Sequence, residues 1–422
     1  MGEEAGVKMS QRELNRMHVV RLTLEGRESV GRGAKLLGIS TRQLKRLRRK
    51  MRERGVGGLL HGNRGRRPWN RSDSELIGKV LQLAEGRYKG FNDTHLSEKL
   101  NEKEQIELSR STIRAILRQG GVAAVRRRRP KRHYKRRERK AQQGALLLWD
   151  GSPHGWLGAQ GPQWTLVAVM DDATGAFLWG VFAEQEDAQS YLILLKQILS
   201  EKGIPLAIYM DRHGIFRRND DHWTVEEQLA GEQIPTQVGQ ALAAVGIEPI
   251  FALSPQAKGR IERLFGTLQD RLVSELRLAG IRTQKEATDF LNGPFKADFN
   301  RRFAKPAKEV QSAWRPLPKG LDLERICSFR YDAVVGNDNA VRLGGGIILD
   351  IPPGPKRTGY AKASVEVRQL LDGRWRVYYK DQLLLQTDVP KIKAPLRTMK
   401  RKLRNIPAEG DIFAKQLRGH IG

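Results

Sequence analysis

Ala145-Leu146-Leu147-Leu148-Trp149-Asp150 and, farther along, Leu206-Ala207-Ile208-Tyr209-Met210-Asp211 are the stretches that decide how this chain folds. Each is a short apolar run that ends in a carboxylate, the pattern of a buried strand whose last residue reaches a sheet edge. Between them, Trp164 to Met170 and Ala176 to Phe182 read as two more strands around the hairpin turn Asp171-Asp172-Ala173-Thr174-Gly175. A helix follows from Asp187 to Lys202, with Tyr191, Leu192, Leu194, Leu195, Ile198 and Leu199 as its buried face. Glu248 to Leu253 is a last strand before a helix that starts near Lys258. Strands, a hairpin and then strand–helix alternation predict a mixed α/β sheet.

If the two carboxylate-ended strands are neighbours, Asp150 and Asp211 converge at the sheet edge. Glu262 lies in the first turn of the helix after Ser254-Pro255-Gln256-Ala257-Lys258-Gly259-Arg260-Ile261, where Pro and Gly shape a loop that swings the helix across the strand ends. Three carboxylates so placed form a hard-oxygen cage suited to Mg²⁺, with Mn²⁺ able to substitute. Two such ions would activate a water or a 3′-hydroxyl for in-line displacement at phosphorus, so no Ser or Cys nucleophile is required. Other acidic residues read differently. Asp171 and Asp172 suit a turn, where Asp bonds its own backbone, and Glu226 and Glu227 read as surface residues. His213 and His154 are open between a phosphate contact and local packing.

Outward from this centre the chain is basic. Its 76 Lys and Arg against 47 Asp and Glu leave a formal charge of +29, unevenly spread, which points to a polyanionic partner and above all nucleic acid. Arg21 to Arg54 reads as helix, turn, helix. Val30, Ala34, Leu36 and Leu37 form an apolar face, Gly38 breaks it, and Ser40 or Thr41 caps a second helix carrying Arg42, Lys45, Arg46 and Arg49 as DNA contacts. The Gly- and Arg-rich stretch that follows, with Arg64, Arg66 and Arg67, reads as a linker able to lie along a DNA groove. A second helical unit runs from Ser74 to Glu85 and from Thr94 to Gln119, and its last helix presents Arg110 and Arg114. Then comes a dense block with Arg127, Arg128, Arg129, Lys131, Arg132, Lys135 and Arg136, a candidate backbone contact. Lys258 and Arg260, beside Glu262, are two further candidates.

Beyond Cys327, short strands at Val334-Val335, Val341 to Leu343, Ile347 to Ile351, Ala363 to Leu370 and Trp375 to Tyr379 predict a small β-barrel. The tail from Lys391 to Arg404 reads as basic and loose. The expected organisation is helix-turn-helix domain 1–60, linker 61–73, second helix-turn-helix-like unit 74–122, basic linker 123–144, catalytic domain 145–310, β-barrel 325–390 and basic tail 391–422. The single Cys excludes an internal disulfide and a zinc module built on paired cysteines. The start of the chain lacks the apolar run of a signal peptide, and no stretch reaches the roughly 20 apolar residues that span a bilayer. The expected setting is the cytoplasm, in association with the nucleoid and without a membrane.

Four motifs carry a resemblance: Trp149-Asp150-Gly151-Ser152-Pro153-His154; Val169-Met170-Asp171-Asp172-Ala173-Thr174-Gly175; Met210-Asp211-Arg212-His213-Gly214-Ile215-Phe216; and Ser254-Pro255-Gln256-Ala257-Lys258-Gly259-Arg260-Ile261-Glu262-Arg263, continuing through Thr267-Leu268-Gln269-Asp270-Arg271-Leu272. At these residues, over roughly Ala145 to Arg302, the chain resembles the integrase-like DDE transposases, and among them bacterial insertion-sequence transposases of the ISNCY type. The resemblance implies a multidomain protein with N-terminal α-helical helix-turn-helix units, a central α/β RNase H-like (retroviral integrase-like) catalytic domain and a C-terminal small β-barrel. It also implies a metal site at Asp150, Asp211 and Glu262 holding two Mg²⁺, and strand cleavage followed by strand transfer. The implied partners are double-stranded DNA, as inverted-repeat ends and target, and further copies of the chain assembled on it. Fifty residues separate Asp211 from Glu262, more than in many integrases of the superfamily; the excess, Phe216 to Gly239, reads as an insertion near the site. Two other functions share these features: a DNA-binding regulator or domesticated transposase without catalysis, and an RNase H-like nuclease without strand transfer.

Overall fold

The computed structural model describes residues 9–60, 63, 72–125, 137–158, 161–218, 223, 225–231, 233–252, 259–354, 359–390 and 396. The chain divides into two compact units, Met1–Lys79 and Val80–Gly422.

In the first unit, α1 (Gln11–Leu24), α2 (Val30–Leu37) and α3 (Thr41–Arg54) each begin on a serine cap, and Ser10 forms a reciprocal capping box with Glu13. Gly38 ends α2 in the left-handed region at φ 60°, which glycine adopts without steric cost, and turns the chain directly into the Ser40 cap of α3. Val20, Ala34, Leu44 and Leu59 form the buried core. Leu36, expected on the apolar face, is instead 61% exposed, because the helix period directs Ala34 and Leu37 inward and leaves position 36 outside.

The second unit opens with three helices: α4 (Ser74–Glu85), which begins just before the unit boundary, α5 (Asp93–Glu104) and α6 (Arg110–Gln119). The part of α4 from Val80 onward, α5 and α6 fall in the same compact unit as the five-stranded sheet that follows. The sheet comprises β1 (Leu147–His154), β2 (Trp164–Asp171), β3 (Phe177–Ala183), β4 (Ala207–Met210) and β5 (Glu248–Phe251) in the order β3-β2-β1-β4-β5. The first three strands are antiparallel; β4 runs parallel to β1 and β5 parallel to β4. This mixed five-stranded order, with helices on both faces, is the RNase H-like arrangement.

Strand alternation sorts β1 between two cores. Leu147 and Trp149 join Val167, Val169 and the apolar faces of α7 (Ala188–Lys202) and α9 (Gln237–Ala244). Leu146 and Leu148 join Leu166, Ala168 and α10 (Ile261–Leu278) on the opposite side. Between β4 and α9 lies α8 (Val225–Ala230). Glu227 on it, expected at the surface, is 1% exposed; Arg218 pairs with it and the Ile234 N–H donates to it at 2.9 Å, which is what permits a charge to be buried there.

The edge strand β3 is closed by side chains from α11 (Gln284–Phe290), the π-turn Leu291–Phe295 and α12 (Lys296–Phe303). The Asn292 amide donates to the Gly180 carbonyl at 2.7 Å and accepts from its N–H at 3.0 Å; Asn300 does the same for Phe177 at 2.7 and 2.8 Å. Free strand groups that would otherwise template further pairing are thereby satisfied.

Helix α10 is also the seat of the α5 helix. Arg271 makes a two-pronged pair with Glu98 at 2.6 and 3.0 Å, Arg302 adds a contact to Glu98 at 3.1 Å, and Glu275 is shared by His95 and Lys99, each at 2.7 Å. Asn92 completes the seam on Asp270.

After α13 (Leu323–Ile326), the expected barrel takes the form of two sheets around one core. One is four-stranded, β6 (Phe329–Val334), β9 (Ser364–Gln369), β10 (Trp375–Tyr379) and β11 (Gln382–Gln386), in the order β11-β10-β9-β6; the other is the ribbon of β7 (Ala340–Arg342) and β8 (Ile348–Asp350). Sequence reading missed most of β6, although Phe329-Arg330-Tyr331-Asp332-Ala333 alternates, and all of β11, whose Leu383-Leu384-Leu385 run does not. In the expected loose tail, Leu396 is buried in the α7-side core and its N–H donates to Gln189 at 2.8 Å.

Candidate active site

The parallel ladder between β1 and β4 pairs Leu147 with Ile208 and Leu148 with Tyr209. Continued two residues, the same register sets Asp150 opposite Asp211, just past the end of β4. Alternation puts Asp150 on the Leu148 side of the sheet, the side that α10 covers. Both carboxylates are half-buried, and each takes a local backbone N–H: Asp150 from Gly151 at 3.1 Å, Asp211 from His213 at 3.0 Å.

Glu262 stands exposed in the first turn of α10. Two turns later on the same helical face, Gln269 donates to Ser152 of β1 at 3.1 Å. Glu262 and Gln269 are seven residues apart, about 10 Å along the axis, so Glu262 projects from the helix that crosses the Asp150 strand. Among the described residues no group of three or more His, Cys, Asp or Glu lies close enough to hold a metal ion. The structure therefore brings the two aspartates into register and sets Glu262 on the neighbouring helix, outside a common ligand cluster.

Behind the pair stands Tyr191 of α7, fully buried. Its ring stacks on Trp149 at 5.5 Å and meets Phe216 edge-on at 4.6 Å, and its hydroxyl donates to Glu186 at 2.5 Å. Burial first, then the negative charges of Glu186, Asp150 and Asp211, push this hydroxyl well above its ordinary pKa. Sequence reading placed Tyr191 only in a helix core and passed over Glu186, since no local pattern links either to the aspartates.

The turn aspartates have structural work, as their position suggested. Asp171 accepts from the Gly144 and Thr174 N–H groups, each at 2.9 Å, and from the Thr174 hydroxyl at 2.7 Å. Asp172, wholly buried, takes Arg137 at 2.6 Å, the Lys140 N–H at 2.8 Å and Arg260. Arg260, expected on the DNA backbone, is thus committed to a buried carboxylate that would otherwise be an uncompensated charge. His154 packs edge-on against Trp156 at 5.2 Å, and His213 is exposed in the turn after Asp211.

Of the expected DNA contacts, Arg42, Lys45, Arg46 and Arg49 are exposed on α3, and Arg110 and Arg114 on α6. Arg64, Arg66, Arg67, Arg127, Arg128, Arg129, Lys131, Arg132, Lys135, Arg136 and Lys258 lie outside the described residues. No described helix is long and apolar enough to cross a membrane.

Residues 15–68 match a helix-turn-helix domain family. The chain is 35% identical over 311 residues to the putative transposase y4bF of Sinorhizobium fredii, covering 74% of this chain and 66% of that protein. It is 30% identical over 358 residues to the transposase for insertion sequence IS1202 of Streptococcus pneumoniae, covering 76% of this chain and 75% of that protein. Among solved structures, the HTLV-2 integrase catalytic core domain in complex with magnesium aligns with 36% of this chain and 86% of its own, at 16% identity and a TM-score of 0.27.

Proposed function

We propose, for a chain that belongs to the bacterial insertion-sequence transposases, that it binds the inverted-repeat ends of its element, cleaves their 3′ ends and joins them to target DNA. The 50-residue interval before Glu262 supports the ISNCY type. The observation that carries the reading is the register of β1 and β4, which sets Asp150 opposite Asp211 at the sheet edge beside α10. Two carboxylates so disposed are hard-oxygen donors that fit Mg²⁺ or Mn²⁺, with Glu262 as the third ligand from the adjacent helix. When bound there, such cations supply a nucleophile activated at neutral pH and charge stabilisation for in-line displacement.

The chain's own residues do the rest. The basic face of α3, with Arg42, Lys45, Arg46 and Arg49, neutralises phosphates and reads base edges in a major groove. Arg110 and Arg114 of α6, with the basic block at 127–136 and Lys258, add backbone contacts whose loss would lower the salt dependence of binding. Half-burial of Asp150 and Asp211 keeps the pair open to a phosphate while the sheet holds its spacing. Assembly of several copies on paired ends, in the cytoplasm at the nucleoid, completes the reading.

The test is cleavage and joining of a labelled element-end duplex with Mg²⁺ or EDTA, comparing wild type with Asp150→Asn, Asp211→Asn and Glu262→Gln. Metal-dependent nicking and joining by wild type alone, with DNA binding kept by all three variants, is the expected result. Binding without cleavage in Mg²⁺ and Mn²⁺ would make the chain a DNA-binding regulator; cleavage without joining would make it a nuclease. Full activity in Glu262→Gln would remove the third ligand.

A further inference from the structure

Tyr191 touches both carboxylate-bearing segments at once. Trp149, on which its ring stacks, immediately precedes Asp150. Phe216, which meets its ring edge-on, closes the turn after Asp211, where its N–H donates to the His213 carbonyl at 2.9 Å. Packing alone would be served as well by phenylalanine. The buried hydroxyl adds a directed bond, at 2.5 Å, to one oxygen of Glu186. That carboxylate in turn sits 2.7 Å from where a Cβ on residue 151 would stand. A side chain at the position after Asp150 would push the carboxylate aside, so Gly151 leaves the room it occupies. Ring, hydroxyl, carboxylate and glycine form one chain of contacts from α7 to both strand ends.

We infer that Glu186, acting through Tyr191, is a positioning residue that fixes the spacing of Asp150 and Asp211. The inference rests on the metal-site reading above. Its chemistry is geometric: the Glu186 carboxylate gives the buried Tyr191 hydroxyl a directed acceptor, and that bond holds the wedge between Trp149 and Phe216 in one orientation. Groups bonded directly to metal ligands typically change metal affinity by about 10- to 100-fold when lost, and Glu186 and Tyr191, which act through Trp149 and Phe216, belong at the lower end of that range.

The experiment is titration of the full chain with Mn²⁺ alone, reading free Mn²⁺ by electron paramagnetic resonance, with urea unfolding run in parallel to confirm that each variant is folded. Tyr191→Phe, Glu186→Ala and Gly151→Ala should each weaken Mn²⁺ binding by about tenfold or more. Glu186→Gln, which keeps an oxygen acceptor for the Tyr191 hydroxyl, should bind close to wild type. Wild-type affinity in Tyr191→Phe and Glu186→Ala, while Asp150→Asn and Asp211→Asn lose binding, overturns the positioning role alone. A loss in Glu186→Gln as large as in Glu186→Ala also overturns it, since charge rather than position would then matter. If Asp150→Asn and Asp211→Asn bind Mn²⁺ as wild type does, the metal site itself is wrong and this role falls with it.

Discussion

Arg271→Met tests the seam between α5 and the helix that carries Glu262. The guanidinium is 9% exposed, bonds both oxygens of Glu98 and lies 4.9 Å over the Phe303 ring. Burial opposes the charge on Glu98, but the hydrogen bond and charge of Arg271, then the charges of Arg302 and His95, hold its carboxyl below the usual range. Breaking a fully buried ion pair costs about 3–5 kcal/mol, most of it from the charge left behind. Here Glu98 keeps Arg302 at 3.1 Å and is 24% exposed, so part of that penalty is relieved. The expected loss is about 2 kcal/mol, roughly a 30-fold shift in the folded-to-unfolded ratio. Combined with Glu98→Gln in a double-mutant cycle, the pair should show a coupling of about 1 kcal/mol. Equilibrium urea unfolding of the full chain, following the transition of the larger unit, measures both quantities. A coupling below about 0.3 kcal/mol, within the additivity of independent sites, would refute the claim that this pair holds α5 on α10.

Two further outcomes are expected. Glu98, Glu275 and Glu366 all have carboxyls held below the ordinary value of 4.5, Glu366 at about 2, where burial is outweighed by Arg368 and Arg325. A folded value below the unfolded one stabilises the fold above the unfolded value, and that stability is lost as pH falls through the folded value. Stability should therefore hold above about pH 4.5 and decline steadily toward pH 2 in acid titration followed by circular dichroism, and an unfolding midpoint that does not move over that range would contradict these pairings. Asn300→Ala removes both bonds to the Phe177 backbone and should cost about 1–3 kcal/mol, seen as a lower melting temperature together with concentration-dependent association through the uncovered β3 edge; an unchanged melting temperature would count against the staple.

What sequence alone determined here is local. Apolar runs ending at Asp150 and Asp211 announce strands because a short continuous apolar stretch is a property of a few adjacent residues, and Gly38 with Ser40 announces the α2–α3 turn for the same reason. The hairpin around Asp171 and Asp172 is likewise legible, down to the bond of Asp171 to its own turn at Thr174. What only the tertiary structure decided is which distant pieces meet. Nothing in either run says that β1 and β4 are parallel neighbours in the register that sets Asp150 opposite Asp211, since period-2 patterning fixes a strand's faces but not its partner. Arg271 and Glu98 are 173 residues apart, and Arg260 and Asp172 are 88 apart; no local pattern joins either pair, and Arg260 read as a DNA-backbone contact until packing supplied its buried counter-charge. Tyr191 carried the signature of an ordinary helix core, and its link to the aspartates exists only because α7 lies across Trp149 and Phe216. The dividing line follows the range of the forces: backbone preference and hydrophobic period act within a turn or two of chain, whereas the pairing of buried charges and the wedging of one ring between two strand ends are set by the close packing of the whole domain.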